Sequence, residues 1–154
     1  MQILLAIHIL SAVVFAGNII TSAFWKVRAD RSGSTEAMAN ASRSLLMADM
    51  VFTGPGLVGL LVTGIWMVQL TGWERFQEPW LSISLVLLVV TAIIWAGGLL
   101  PLEFRMVRLA RLQSNNITSD PAYRRSSKIW SMMGGVATLI PLIILFLMVL
   151  KPGE

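Results

Sequence analysis

The residue whose chemistry stands out in this sequence is His8, the single histidine among 154 residues. It lies in LLAIHILSAVVFAGN, a stretch otherwise composed mainly of apolar and small residues. An imidazole in such surroundings has three possible roles, which are to ligate a metal, to hydrogen-bond a neighbouring helix, or to relay protons. One axial histidine suffices for five-coordinate haem iron. The usual zinc centre needs several histidine or cysteine ligands, and the chain has no cysteine, so the sequence argues against zinc and leaves the three roles open.

Four side chains share one face of a helix built on this stretch. At 100° per residue, His8, Ser11, Phe15 and Asn18 fall on the same side, and Ser22 continues it. Lipid offers Asn18 no hydrogen-bond partner, so this face is expected to point towards neighbouring helices. One interpretation is a packing seam held by interhelical hydrogen bonds, and the other is a ligand-binding face. In the second, the candidate cofactor is haem b, its iron is bound by His8, and Ser11, Phe15 and Asn18 line the site.

Four apolar stretches are long enough to hold such a face within a membrane. They cover about residues 2–24, 50–71, 79–102 and 130–150. A bilayer core about 30 Å thick needs roughly 20 apolar residues in a helix. The chain is 56% hydrophobic, with a mean hydropathy of +0.75. The sequence therefore predicts an all-α, polytopic four-transmembrane-helix bundle that forms a single integral membrane domain over residues 1–154.

Basic residues predict the orientation of this bundle. Ten of them lie in the first and third connections, and only Arg75 and Lys151 lie on the opposite side. Positively charged loops stay cytoplasmic, so both termini are expected on the periplasmic side of a bacterial inner membrane. The isoelectric point near 10.4 then reflects topology and contact with anionic lipid headgroups, not nucleic-acid binding. The ten residues are Lys26, Arg28, Arg31, Arg43, Arg105, Arg108, Arg111, Arg124, Arg125 and Lys128.

Two carboxylates lie at the cytoplasmic edge of the predicted spans. Asp49 is expected near the N-terminus of the second span, where the helix dipole favours negative charge, with Arg43 or a base from the other loop as its partner. Glu103 follows Pro101, which is expected to end or kink the third span. Its expected partner is Lys26 or Arg28. Both carboxylates are thus predicted to form structural ion pairs.

The sequence lacks most signatures of soluble enzymes, including a phosphate-binding glycine loop, a paired histidine motif and a serine–histidine–acid set. It does not decide whether the protein is an enzyme. Glycines in the second and fourth spans favour close helix packing and are compatible with a homo-oligomer. The leading hypothesis is haem or porphyrin binding through His8 for a redox or haem-related role. The alternative is a non-catalytic scaffold or an oligomeric transport subunit without a cofactor.

The runs HILSAVVFAGNIITSAFWKVRADRSG and MADMVFTGPGLVGLLVTG resemble a bacterial family of predicted integral membrane proteins of unknown function. A more distant resemblance is to HemJ-type protoporphyrinogen oxidases and CopD-type copper-resistance membrane proteins. The features that carry it are the first-span histidine before an aromatic and small residues, a proline in the second span, and a last span that contains a proline and finishes on Lys-Pro. These positions are His8, Phe15, Ala16, Gly17, Pro55, Pro141, Lys151 and Pro152.

The HemJ-type resemblance implies contact with haem or porphyrin through His8. The sequence departs from that pattern at Ser84, where HemJ-type proteins carry a lysine, and at Phe15, where they carry a tryptophan. Loss of the lysine argues against carrying over protoporphyrinogen oxidation, whereas haem ligation by His8 does not depend on it.

Overall fold

The computed structural model describes residues 1–112 and 117–153, and all regular secondary structure in these ranges is helical. It contains four helices long and apolar enough to cross a membrane. We number them α1 (Gln2–Ser32), α2 (Thr35–Thr71), α3 (Pro79–Leu112) and α4 (Pro121–Leu150). Short 3₁₀ turns, Trp73–Gln77 and Ile117–Ser119, precede α3 and α4. The predicted all-α fold with four membrane-spanning helices is confirmed.

Each helix extends beyond its predicted span at the same end of the bundle. Helix α1 runs to Ser32, where Gly33 ends it with a left-handed φ of 65°. Helix α2 begins at Thr35, capped by Ser34, whose hydroxyl accepts a hydrogen bond from the Ala37 amide at 3.3 Å. Asp120 caps α4 in the same way. The predicted bounds near residues 24, 50, 102 and 130 therefore mark where the helices become polar, and not where they end.

We call this end of the bundle, where α1 and α3 finish and α2 and α4 begin, the basic end. It carries ten of the twelve lysines and arginines. The opposite end, which holds Met1 and the residues after Leu150, is called the terminal end. All four helices run between the two ends, so consecutive helices are antiparallel.

Two apolar clusters form the core of the bundle. The cluster in the terminal half joins α1, α2 and α3 and consists of Phe15, Leu57, Leu60 and Leu88. The cluster in the basic half is larger, and helices α2, α3 and α4 contribute to it. It consists of Met38, Leu45, Leu99, Met106, Ala110, Tyr123, Trp130 and Ala137. Most of the remaining large apolar side chains are exposed on the outside, as expected for a surface that contacts lipid.

Two prolines lie inside helices directly after a widened π-helical turn. The Gly54 amide bonds to the Asp49 carbonyl just before Pro55, and the Leu100 amide bonds to the Trp95 carbonyl just before Pro101. A proline has no N–H to offer the carbonyl four residues earlier, and the i−5 bonds of a π turn accommodate this loss. Of the two predicted effects of Pro101, ending the helix is excluded, because α3 continues to Leu112.

Candidate functional site

The imidazole of His8 is held against α2 by a defined hydrogen bond. Its Nδ1 lies 2.7 Å from Thr63 Oγ1, and Thr63 Oγ1 donates its proton to the Gly59 carbonyl at 2.5 Å. A threonine hydroxyl has one proton. With that proton donated to Gly59, His8 Nδ1 is the donor in the bond to Thr63, and the Leu60 carbonyl of α2 is a further acceptor within reach of the ring. This assignment of hydrogen positions gives the tautomer whose lone pair is on Nε2.

Glycine on α2 provides the space for this ring. A Cβ atom at Gly64 would lie 3.4 Å from His8 Cε1. His8 is half-buried, while Ile7 and Ile9 on either side of it are exposed. The imidazole thus sits at the α1–α2 boundary in apolar surroundings.

The structure places Ser11 and Phe15 in close contact with glycines of α2. Ser11 donates to the Ile7 carbonyl at 2.9 Å, and a Cβ at Gly59 would collide with its side chain. Phe15 is 2% exposed, and a Cβ at Gly56 would lie 3.0 Å from Phe15 Cβ. These two predicted lining residues therefore contact the backbone of α2 directly.

Asn18 belongs to a different site from His8. It lies ten residues further along α1, about 15 Å at 1.5 Å per residue. Its Nδ2 donates to Asp49 Oδ1 at 2.9 Å and to Thr53 Oγ1 at 2.8 Å. The predicted face is thus divided between a histidine site in the terminal half and a polar cluster closer to the basic end.

Asp49 is the centre of that cluster. It is 5% exposed and lies inside α2, fourteen residues after the helix begins at Thr35. Besides Asn18, Thr53 Oγ1 donates to its Oδ1 at 2.9 Å, and Trp95 Nε1 donates to its Oδ2 at 2.7 Å. The predicted position at a helix N-terminus and the predicted partner Arg43 were wrong. The polar segment before Asp49 is itself helical, and Arg43 is exposed.

Glu103 contributes a second buried carboxyl group, and it is 0% exposed. Its Oε1 accepts a hydrogen bond from Trp130 Nε1 at 2.9 Å, whereas its Oε2 has no N–H or O–H partner among the described residues. The Glu103 carboxyl lies close to that of Asp49: Trp130, its indole partner, lines the same small cavity as Asp49, and the two carboxyls are near enough to interact directly. A bond between two carboxyl groups requires a proton, because an ionised carboxylate only accepts.

The expected pairing of Glu103 with Lys26 or Arg28 was wrong. The ammonium group of Lys26 is fully buried and bonds to Asp30 Oδ1 at 2.6 Å and to Ser127 Oγ at 2.7 Å. The guanidinium of Arg28 lies 5.6 Å from the centroid of the Trp25 ring. Lys26 is therefore satisfied one turn along its own helix, which is the spacing that brings side chains together on a helix surface.

Sequence reasoning missed the tryptophans and hydroxyls of these sites, namely Thr53, Thr63, Trp95, Ser127 and Trp130. One signal in the sequence was available. Asp49 and Thr53 are four residues apart, as are Lys26 and Asp30, so each pair meets on one helix face. The tryptophans gave no such signal, since an indole in a membrane helix also serves as an apolar or interfacial side chain.

Two cavities adjoin the carboxyl cluster. A groove of about 570 Å³ separates α1 from the basic half of α2, and Asn18 and Ser22 are among its lining residues. A small cavity of about 20 Å³ lies in the bundle interior, lined by Ser22, Asp49, Trp95, Trp130 and neighbouring apolar residues. Ser22 lines both cavities. Within the described residues, no group of three or more histidine, cysteine or acidic side chains is arranged to hold a metal.

Comparison with known proteins places the chain in a family but supplies no activity. No curated protein and no solved structure matches it. A family model described as "Predicted integral membrane protein (DUF2269)" matches residues 2–152. The match agrees with the four helices able to span a membrane. The chain therefore belongs to this family of predicted integral membrane proteins.

Proposed function

We propose that the protein binds haem b through Nε2 of His8 and serves a redox or haem-related role in a bacterial inner membrane. The observation that carries the proposal is the hydrogen bond between His8 Nδ1 and Thr63, because with Nδ1 as the donor the lone pair of the ring is on Nε2. Histidines that ligate metals commonly donate their other ring N–H to a neighbouring acceptor, which fixes the ring and its tautomer.

The donor set around His8 suits a single axial bond to haem iron. One imidazole is enough for a five-coordinate iron, and no second metal-binding side chain is required beside it. Gly64 leaves the ring unhindered on its α2 side. Bound haem would supply one-electron chemistry, and the protein would set its ligation and polarity. Thr63 would act on the imidazole alone, by holding Nδ1 and fixing the orientation of the ring.

The other predicted lining residues would position α1 without contacting a cofactor. Ser11 and Phe15 pack against the glycines of α2, which keeps His8 in register with Thr63. Asn18 is committed to Asp49 and Thr53. Of the four predicted residues, His8 is the one that would ligate the iron, through Nε2.

The resemblance to HemJ-type and CopD-type proteins supports a haem-related role but not protoporphyrinogen oxidation. Ser84 stands where the HemJ-type lysine is expected. It is 1% exposed, and its hydroxyl donates to the Trp80 carbonyl at 2.7 Å. A buried serine bonded to its own helix supplies no charge to a porphyrin substrate. We therefore propose haem binding without that activity.

The test is an absorption spectrum of the full-length protein purified in detergent after haem-sufficient expression. We expect a Soret band in the unmodified protein and its loss in His8→Ala. Thr63→Val removes the partner of Nδ1 and should lower the haem content several-fold, because orienting partners commonly contribute 10- to 100-fold to metal affinity. Thr71→Val is the matched control, since Thr71 also donates to the carbonyl four residues earlier but is exposed.

Colourless unmodified protein would overturn the haem proposal, as would a Soret band that survives in His8→Ala. In that case the alternative function is favoured, a non-catalytic scaffold or oligomeric transport subunit in which His8 only bonds α1 to α2. Open glycines on α1 and α4 support this alternative, because a Cβ at Gly17 or Gly135 would meet no atom within 4 Å. His8→Ala should then change the oligomeric state on size-exclusion chromatography. An unchanged assembly and spectrum would contradict both roles.

A further inference from the structure

Within the part of the chain that the structure describes, the buried carboxyl groups of Asp49 and Glu103 have no cationic partner. The charged and titratable groups of every helix packed around them are otherwise engaged or point outwards. On α1, Lys26 pairs with Asp30, and on α4, Tyr123 bonds to Ser42. The neighbouring arginines on α2 and α3, which are Arg43, Arg105 and Arg108, are exposed. The only ion pair found among the described residues is that of Lys26 with Asp30.

Two adjacent buried carboxylates without a cation are strongly disfavoured when both are ionised. Burial removes the water that stabilises each charge, and the two negative charges repel. One proton shared between the groups removes one charge and supplies a donor between them. The burial of both carboxyls and the unpartnered Oε2 of Glu103 fit this arrangement.

The hydrogen-bond donors around the two carboxyls favour Glu103 as the group that holds the proton. Both oxygens of Asp49 accept hydrogen bonds, two at Oδ1 and one at Oδ2, which is the environment of an ionised carboxylate. Glu103 accepts one bond at Oε1 and none at Oε2. A proton on Glu103 Oε2 would allow that buried atom to donate a hydrogen bond. Trp95 and Trp130 only donate, so they hold the carboxyls in place without competing for the proton.

We propose that Asp49 and Glu103 form a proton-binding site, in which one proton resides on Glu103 Oε2, is donated to Asp49, and exchanges with the basic end of the bundle. The ligand is the proton itself. Its uptake converts two carboxylates into one carboxylate and one carboxylic acid, and its release to water reverses this. The inference uses neither His8 nor haem, so it stands or falls independently of the proposed function.

The cavities supply the route for exchange. The groove between α1 and the basic half of α2 reaches Asn18 and Ser22, and Ser22 also lines the small cavity at Asp49, so the proposed route passes this side chain. The small cavity has a volume of about 20 Å³, which is enough for one water molecule, since a water needs roughly 10–15 Å³. Ser22 and Asp49 provide polar partners for such a water. On the other side, the apolar cluster of Phe15, Leu57, Leu60 and Leu88 separates the pair from the terminal end. Exchange is thereby directed to the basic end.

Infrared spectroscopy of the full-length protein tests the shared proton. At neutral pH we expect the carbonyl band of an un-ionised carboxylic acid, shifted when H₂O is replaced by D₂O. The Glu103→Gln variant should lack this band. It should still fold, because the glutamine amide can donate a hydrogen bond to Asp49 in place of the carboxylic acid. Asp49→Asn should also change the band. Glu36→Gln, which replaces an exposed carboxylate of α2, is the matched control and should leave it intact.

A folded protein, verified by circular dichroism, that lacks the band at neutral pH would overturn the proposal. Persistence of the band in both Glu103→Gln and Asp49→Asn would do the same. His8→Ala should retain the band, which separates this test from that of haem binding.

The route is tested by the rate at which the band shifts after transfer to D₂O. Ala48→Leu fills the groove beside Asp49 and should slow the shift at least several-fold. Ala96→Leu adds the same volume on an exposed face of α3 and should leave the rate unchanged. Equal rates in the two variants would rule out exchange through the groove.

Discussion

At the scale of single residues, the roles in this protein depend on which hydrogen-bond partner each polar side chain meets. His8 and Asn18 are similar in the sequence, since both are polar residues on one face of an apolar helix. Thr63 orients the first, while Asp49 and Thr53 accept from the second. The first is hydrogen-bonded to a hydroxyl of α2, and the second becomes part of a carboxyl cluster.

Trp95 provides a direct test of how much this cluster stabilises the bundle. Trp95→Phe keeps an aromatic ring but leaves Asp49 Oδ2 without its donor. An unsatisfied buried polar group costs about 1–3 kcal/mol, and more when the group is charged. We expect the free energy of unfolding to fall by about that amount, measured by denaturant titration in detergent. Trp66→Phe, at an exposed indole, should change it far less, and equal losses in both variants would contradict the assigned role of Trp95.

At the scale of helices, glycines and prolines set how closely the elements approach. Prolines inside α2 and α3 follow π-helical turns that begin at Asp49 and Trp95, the residues joined by the indole–carboxylate bond. The two π-helical turns therefore carry Asp49 and Trp95, the residues through which α2 and α3 meet in the carboxyl cluster. Further towards the terminal end, Gly56 and Gly59 allow α1 to lie directly on the backbone of α2.

Gly56→Ala tests this close approach. The added Cβ would lie 3.0–3.2 Å from the Cβ, N and Cα atoms of Phe15, two of which belong to the backbone and cannot move aside. Overpacking of this kind typically costs about 1–3 kcal/mol, and the better helix propensity of alanine offsets part of it. We expect a lower thermal midpoint in detergent. Gly135→Ala, where the Cβ meets open space, should be neutral or stabilising, and a Gly56→Ala protein as stable as that control would refute the close α1–α2 contact.

At the scale of the whole molecule, the positively charged side chains are concentrated at one end. The basic end carries ten of the twelve lysines and arginines, so we propose that it faces the cytoplasm and the anionic lipid headgroups there. The groove that reaches the Asp49–Glu103 pair opens in this half of the bundle. The proposed proton site would then exchange with the cytoplasm, and His8 would lie near the periplasmic side.

The orientation is testable with single cysteines, because the natural chain has none. Ser34→Cys at the basic end and Glu74→Cys at the terminal end are both at exposed positions. In intact spheroplasts, a membrane-impermeant thiol reagent should label Cys at position 74 and leave position 34 unlabelled until the membrane is opened. The reverse pattern would invert the proposed topology and the side on which the proton site exchanges.

The sequence by itself determined that this is an all-α protein with four helices able to cross a membrane, and that one face of α1 is polar. Hydropathy and the 3.6-residue period suffice for both, because each is a property of one segment. It did not show where the helices end, since their polar extensions fall below any hydropathy signal.

Only the tertiary structure decided which polar groups meet. His8 and Thr63 are 55 positions apart, Asp49 and Trp95 are 46, and Glu103 and Trp130 are 27. Their contact depends on the rotation and axial register of helices packed side by side, which the periodicity of a single helix leaves undetermined. The predicted salt bridges of Asp49 and Glu103 were wrong for this reason. Rotation and register placed two carboxyls together in the interior, and left the neighbouring arginines at the surface.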